Sequence, residues 1–231
     1  MGYTRRNHCH PEHQQWKKRL AYPERPLELD REKKEMTMKK FIVLAVVVLL
    51  GFLSASVQAQ TLFRLPLASN PGYSAWFDHN DSIGSLLRYD CVTSFSYDGH
   101  HGTDFTAGMG TPIYAGAVGS LYYRVDGCPD GSMPACGGSY GNHVRIQHFI
   151  DSHVSVYAHM KNGTSAWYAS VMCGANIGQT GNSGTSTGPH LHFELWEGSS
   201  IGTRIDFFGG RCGYPIYWVN QNSGWPTTQC Q

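Results

Sequence analysis

The stretch Gly184-Thr185-Ser186-Thr187-Gly188-Pro189-His190-Leu191-His192-Phe193-Glu194 constrains the fold of this chain more than any other. Successive side chains of an extended strand point to opposite faces. His190, His192 and Glu194 therefore share one face, and Leu191, Phe193 and Leu195 share the other. The apolar face requires a core to cover it, which leaves two imidazoles and a carboxylate facing a groove. A half-buried strand with histidines on its polar face is the plain structural reading. What turns the stretch into the wall of a metal site lies upstream.

Tyr97-Asp98-Gly99-His100-His101-Gly102-Thr103-Asp104-Phe105 is the first such segment. In an extended conformation His100, Gly102 and Asp104 fall on one face, and the glycine leaves room for an ion between the two ligands. Further on, Asn142 to Phe149 alternates Val144 and Ile146 with Arg145 and Gln147. The run from His153 to Met160 alternates Val154, Val156 and Ala158 with Ser155, Tyr157 and His159. The short link Ile150-Asp151-Ser152 makes these a hairpin of half-buried strands with His159 on the polar face. Taken together, His100, Asp104 and His192 supply two imidazoles and one carboxylate, the ligand set of a catalytic zinc with an open fourth position. His159 and His190 stand on polar faces nearby.

The remaining sequence favours strands and turns. The chain has 231 residues, with 27 Gly, 13 Tyr and 6 Trp, and shows no internal repeat or long heptad pattern. Thr111 to Gly119 and Ser120 to Val125 read as two strands meeting at a glycine. Asp126 to Tyr140 is a Gly- and Pro-rich loop, and Cys173 to Gly181 is a run of glycine turns. Residues 60–96 form an irregular segment packed along the domain, and Ile205 to Gly209 with Tyr217-Trp218 close it. The expected fold is all-β: a small antiparallel sheet domain, split-barrel or sandwich-like, occupying residues 97–231.

Charge divides the chain. Residues 1–59 hold 11 Lys+Arg against 6 Asp+Glu, whereas residues 60–231 hold 7 against 11. The acidic balance of the larger part excludes a nucleic-acid partner, which would need clustered basic residues. Lys39-Lys40, the apolar run Phe41 to Leu53 and the small residues of Val57-Gln58-Ala59 make residues 38–59 a signal peptide. The apolar run is shorter than the ~20 residues of a membrane span, so no stable span is expected after cleavage. Residues 1–37 read as an upstream extension or a disordered segment, with translation expected to begin at Met36 or Met38. The cluster His8-Cys9-His10 with His13 has no core to fix a metal geometry.

Seven cysteines occur, and six follow the signal segment: Cys91, Cys128, Cys136, Cys173, Cys212 and Cys230. An even number in an exported chain reads as a disulfide framework. Distance along the chain hints at Cys128 with Cys136 and Cys212 with Cys230, leaving Cys91 with Cys173. The pattern contains no C-x-x-C pair of a zinc ribbon.

Three ordered motifs, Gly99-His100-His101-Gly102-Thr103-Asp104, Tyr157-Ala158-His159-Met160 and Gly188-Pro189-His190-Leu191-His192-Phe193-Glu194, closely resemble the lysostaphin/LytM-type zinc metallopeptidases, the peptidoglycan endopeptidases. The resemblance runs from about Tyr97 to Leu195. It implies that His100, Asp104 and His192 bind one Zn2+ and that His159 and His190 are the catalytic histidines. It also implies an antiparallel sheet with the metal on the floor of a groove. The expected protein is a secreted monomer in the periplasm or outside the cell, cutting peptide cross-links of bacterial peptidoglycan through a zinc-activated water. Other readings remain open: an enzyme of the same type that cleaves glycine-rich proteins outside the cell or trims wall peptides as a carboxypeptidase, and a regulator of murein hydrolases that holds wall peptides without cutting them. His101 points away from the ligand face, and His79, His143, His148 and His153 read as surface or satisfied strand residues. Glu194 shares a face with His192 and is assigned a supporting role.

Overall fold

A computed structural model describes residues 27–52, 60–80, 84–94, 97–131, 133–167, 170–198, 202–209, 215–219 and 228–230. The chain divides into two compact units, Met1–Val57 and Gln58–Gln231. Among the described residues, the first contains the helix α1 (Leu27–Phe52), which spans the boundary expected at residue 37. Arg31 pairs with Glu35 one turn on, at 3.7 Å. No described helix is long and apolar enough to cross a membrane. The His8/Cys9/His10/His13 cluster and residues 57–59, where signal-peptide cleavage is expected, lie outside the described residues.

Among the described residues, the second unit is built from eleven short strands. In chain order they are β1 (Tyr73–Ala75), β2 (Leu86–Leu87), β3 (Thr93–Ser94), β4 (Thr103–Thr106), β5 (Pro112–Tyr114) and β6 (Gly119–Val125). They continue as β7 (His143–His148), β8 (Val154–Ala158), β9 (Asn176–Gln179), β10 (His190–Trp196) and β11 (Arg204–Ile205). Among the described residues the main sheet runs β1-β4-β10-β8-β7-β6, with β11 added beside β10, and every pairing is antiparallel. The expected all-β antiparallel class is observed. β5 pairs with β9 in a separate ribbon. β9 falls within the run read as glycine turns, and its Asn176-Ile177-Gly178-Gln179 carries too weak an alternation to announce a strand.

The alternation in β10 does what its sequence requires. Leu191, Phe193 and Leu195 enter the principal core with Phe63, Phe105 and Tyr157. Phe193 stacks on Phe207 at 4.0 Å, and Phe207 stacks on Trp218 at 4.9 Å. The closing segments around Phe207 and Trp218 are thus tied to the central strand. Burying each such side chain stabilises the fold by about 1.5–3 kcal/mol. Residues 60–96 are less irregular than expected, because β1 forms an edge strand on β4.

Two expectations are corrected. β8 is buried on both faces: Ser155 and Tyr157 turn into the principal core, and Val154 and Val156 form a second cluster with Trp196. Its expected polar face is therefore an interior face, its polar atoms satisfied by Tyr157 Oη, which accepts from Gly116 N at 2.8 Å. The disulfides are Cys128–Cys136, as expected, and Cys173–Cys230. The second replaces both hinted long-range pairs, since the chain folds back to bring its C-terminal cysteine beside Gly174. Cys91 is also disulfide-bonded, and Cys212 lies outside the described residues.

Candidate active site

β4 and β10 set His192 directly opposite Asp104. Paired residues share a face of the sheet, and His192 Nδ1 stands 2.8 Å from Asp104 Oδ1. His100 lies in the turn before β4, and its Nε2 reaches 3.2 Å from Asp104 Oδ1 and 3.1 Å from His192 Nδ1. All three side chains are buried, and one ligand atom from each lies within 4.8 Å of the others. Gly102 has a different purpose from the one expected. A Cβ there would stand 2.7 Å from His192 Cε1 and 2.7 Å from the Phe193 carbonyl oxygen. The missing side chain makes room for the His192 ring rather than for an ion.

The outward nitrogens of both imidazoles are anchored. His100 Nδ1 donates to the Trp76 carbonyl at 2.9 Å, and His192 Nε2 donates to Glu194 Oε1 at 3.0 Å. These partners hold the outer nitrogens, so the inward nitrogens face each other and Asp104. A carboxylate and two imidazoles held this closely call for positive charge between them. Burial alone would raise the Asp104 carboxyl, but hydrogen bonds with His100 and His192 hold it far below the carboxylate range. Burial would likewise lower His192, but Asp104 and Glu194 push it up to about 9. Two imidazoles, one carboxylate and anchored outer nitrogens make a donor set that fits a zinc ion.

Glu194 has four partners. Besides His192 it accepts from Tyr140 Oη at 2.9 and 2.8 Å, from Trp196 Nε1, and from Arg204 Nε at 3.1 Å. Burial would raise its carboxyl, but the His192 contact, with help from Trp196 and Arg204, brings it down to about 2. Burial and the adjacent Glu194 push the Tyr140 phenol up to about 12. Tyr140 and Arg204 escaped sequence reasoning. Tyr140 belongs to a glycine-rich loop, and the place of Arg204 depends on the return of the chain after β10, so neither carries a local signal.

His159 and His190 are brought beside this centre, with ring centroids 4.6 Å apart. Continued alternation along β8 would send His159 into the core with Tyr157. Instead its φ of 55° turns the backbone left-handed, out of the strand and toward the groove. Its N–H donates to the Tyr140 carbonyl and its carbonyl accepts from Gly181 N, which hold that conformation. His159 Nδ1 donates to the Ser183 carbonyl and His190 Nδ1 to the Gly188 carbonyl, each at 2.8 Å. Both rings therefore present Nε2 to the groove, and His190 Nε2 lies 3.6 Å from Asp104 Oδ2. Burial, reinforced by His192 and His190, pushes His159 down to about 3, so it is neutral at physiological pH.

The groove is a cavity of about 190 Å³ whose walls include Tyr97, His101, Ser139, Thr185 and Arg204. The walls from the Asp126–Tyr140 loop and the Gly184 loop are interlocked. Gly141 and Gly184 both adopt positive φ, and a Cβ on Gly141 would lie 2.4 Å from Gly184 N. Among the described residues, none of 161–173 lines the groove. His101 is exposed on the rim. His79 pairs with Asp206 at 2.8 Å and His148 with Ser155 at 2.8 Å, so both are satisfied interior residues.

Residues 98–206 match the model of peptidase family M23, and the resemblance to lysostaphin-type peptidases read from the three motifs is borne out. The DD-carboxypeptidase/endopeptidase Mpg of Neisseria meningitidis serogroup B is 37% identical over 95 residues, which are 41% of this chain and 19% of that protein. The peptidoglycan DD-endopeptidase ShyA of Vibrio cholerae is 35% identical over 96 residues, 42% of this chain and 20% of that protein. The chain thus spans about a fifth of the length of these curated relatives. The antimicrobial peptidase lysostaphin from Staphylococcus simulans aligns in structure at 22% identity, covering 64% of this chain and 52% of that one, with a TM-score of 0.43.

Proposed function

From the match of residues 98–206 to peptidase family M23, we propose that this chain is an exported zinc endopeptidase that hydrolyses peptide cross-links of bacterial peptidoglycan. The observation that carries the reading is the convergence of His100 Nε2, Asp104 Oδ1 and His192 Nδ1, with the outer nitrogens of both imidazoles anchored. His100, Asp104 and His192 would hold the zinc, which when bound supplies Lewis acidity and brings a coordinated water's pKa from 15.7 to about 7.

The chain's own residues divide the remaining work. His159 is neutral, and its Nδ1 proton is committed to Ser183, so Nε2 is the atom that accepts a proton from the attacking water. His190 donates through Nδ1 to Gly188 and presents Nε2 3.6 Å from Asp104 Oδ2. A proton carried on that Nε2 steadies the oxygen that gains negative charge, and the proton taken up by His159 passes to the leaving amine. The groove lined by Tyr97, Ser139 and Thr185 orients the peptide. Lys39-Lys40 and the apolar run after them support export, with residues 38–59 as the segment removed and 60–231 as the mature protein. Digestion of purified peptidoglycan with and without chelator, with fragments identified by mass, tests the reading. Fragments cut at cross-link peptides only in the metal-loaded sample are expected.

A further inference from the structure

Arg204 is the lysine or arginine among the described residues that line the groove. β11 brings it there by pairing Arg204 with Trp196 at the end of β10, and the guanidinium carbon lies 5.5 Å from the Trp196 ring centroid. Nε meets Glu194 Oε2 at 3.1 Å and Nη2 meets Tyr140 Oη at 3.1 Å. Neither contact uses Nη1, and the side chain is still 30% exposed. A guanidinium needed only to hold Glu194 in place could be covered. This one keeps part of its fork toward the cavity.

Charge points the same way. Glu194, the carboxylate that Arg204 contacts through Nε, is shared with His192, Tyr140 and Trp196 and so does not serve Arg204 alone. A planar guanidinium is suited to a carboxylate, which it can engage through parallel N–H donors. Arg204 and His192 are bridged by the Glu194 carboxylate alone. An extended peptide advances about 3.3–3.6 Å per residue, so a carboxylate bound at Arg204 belongs within about two residues of the bond held over the centre.

We infer that Arg204 is a substrate-recognition residue that selects peptides bearing a free carboxylate close to the scissile bond. The inference rests on the reading of the groove as a peptide-hydrolysing site and names the substrate class that site prefers.

The test uses N-acetyl-L-Ala-D-Ala-D-Ala with a free C-terminus and the same peptide as its C-terminal amide. Binding to the full-length, zinc-loaded protein is measured by calorimetry, and cleavage is followed by mass, for the unmodified protein, Arg204→Gln and Arg204→Lys. Zinc content is determined for each sample. The free acid is expected to bind about tenfold or more tighter than the amide. The preference should fall to near parity in Arg204→Gln and be partly kept in Arg204→Lys, with zinc retained in both. A preference that persists in Arg204→Gln overturns the inference. So does an equal loss for both peptides, which would make Arg204 a support for Glu194 only, and so does failure of the unmodified protein to bind either peptide. Preferential binding of the acid without cleavage would leave the inference standing and instead contradict the hydrolytic reading.

Discussion

His192 joins Asp104 to Glu194: its Nδ1 is 2.8 Å from one carboxylate and its Nε2 is 3.0 Å from the other. Both carboxylates project from the same sheet face, Asp104 across the β4–β10 pair and Glu194 two residues along the same strand. The ring is thereby clamped at both nitrogens. Orientation of a metal-binding imidazole by a carboxylate on its outer nitrogen is worth about 10- to 100-fold in metal affinity.

Glu194→Ala should therefore lower zinc affinity by about 10- to 100-fold while leaving His100, Asp104 and His192 in the sequence. It should also cost stability, because Trp196 Nε1 and Arg204 Nε lose their acceptor. Competition against a calibrated chelator reads the affinity. An unchanged constant would show that the outer hydrogen bond does nothing for the site.

Gly102→Ala tests the close approach of β4 to the His192 ring. The added methyl would lie 2.7 Å from Cε1 and from the Phe193 carbonyl oxygen. Backbone cannot yield there without disturbing the β4–β10 register, so the ring must move. The expected result is destabilisation of about 1–3 kcal/mol together with weakened zinc binding. Full zinc affinity in a stable Gly102→Ala protein would contradict the geometry.

The wall loop is secured by Cys128–Cys136, which closes a loop of sequence separation 8. Replacing both cysteines by alanine should reduce stability by roughly 2–3 kcal/mol. Because Tyr140 follows this loop and donates to Glu194, zinc affinity should fall as well. Urea denaturation and zinc competition on the same sample separate the two effects.

How far the site could be read before folding depended on whether its residues lie in regular strands. His192 and Asp104 do, and alternation alone put them on the faces that the fold brings together. His159 does not. Its place in the groove depends on a left-handed residue at the end of β8, and alternation sent it to a face that proves to be core. Gly102 was legible as a required gap but not as a gap for a neighbouring ring, since that needs the register of two strands 88 residues apart. The all-β class followed from composition and alternation. The Cys173–Cys230 bond did not, because pairing by sequence distance ignores that folding brings cysteines 57 residues apart together.

Acid should weaken the fold through His148. Its Nδ1 donates to the Val118 carbonyl and its Nε2 faces Ser155 Oγ, and burial pushes its pKa down to about 4. The unfolded value is about 6.5. Between these values the unfolded chain binds more protons, so stability rises with pH. The contribution is fully present above about 6.5 and is lost as pH falls toward 4, on the order of 3 kcal/mol in total. His148→Gln should flatten this slope, leaving the part due to His159. Equal slopes in urea midpoints from pH 4 to 7 for both proteins would rule His148 out.

The central claim is that His192 holds the metal while His190 acts on the substrate. Its most direct measurement is zinc stoichiometry alongside peptidoglycan digestion for the unmodified protein, His192→Ala and His190→Ala. The account predicts one zinc and chelator-sensitive cross-link cleavage in the first and loss of both in His192→Ala. In His190→Ala it predicts retained zinc with a rate lowered on the order of 10²- to 10³-fold. Peptidoglycan cleavage that survives in His192→Ala, or zinc lost equally in both variants, would contradict it.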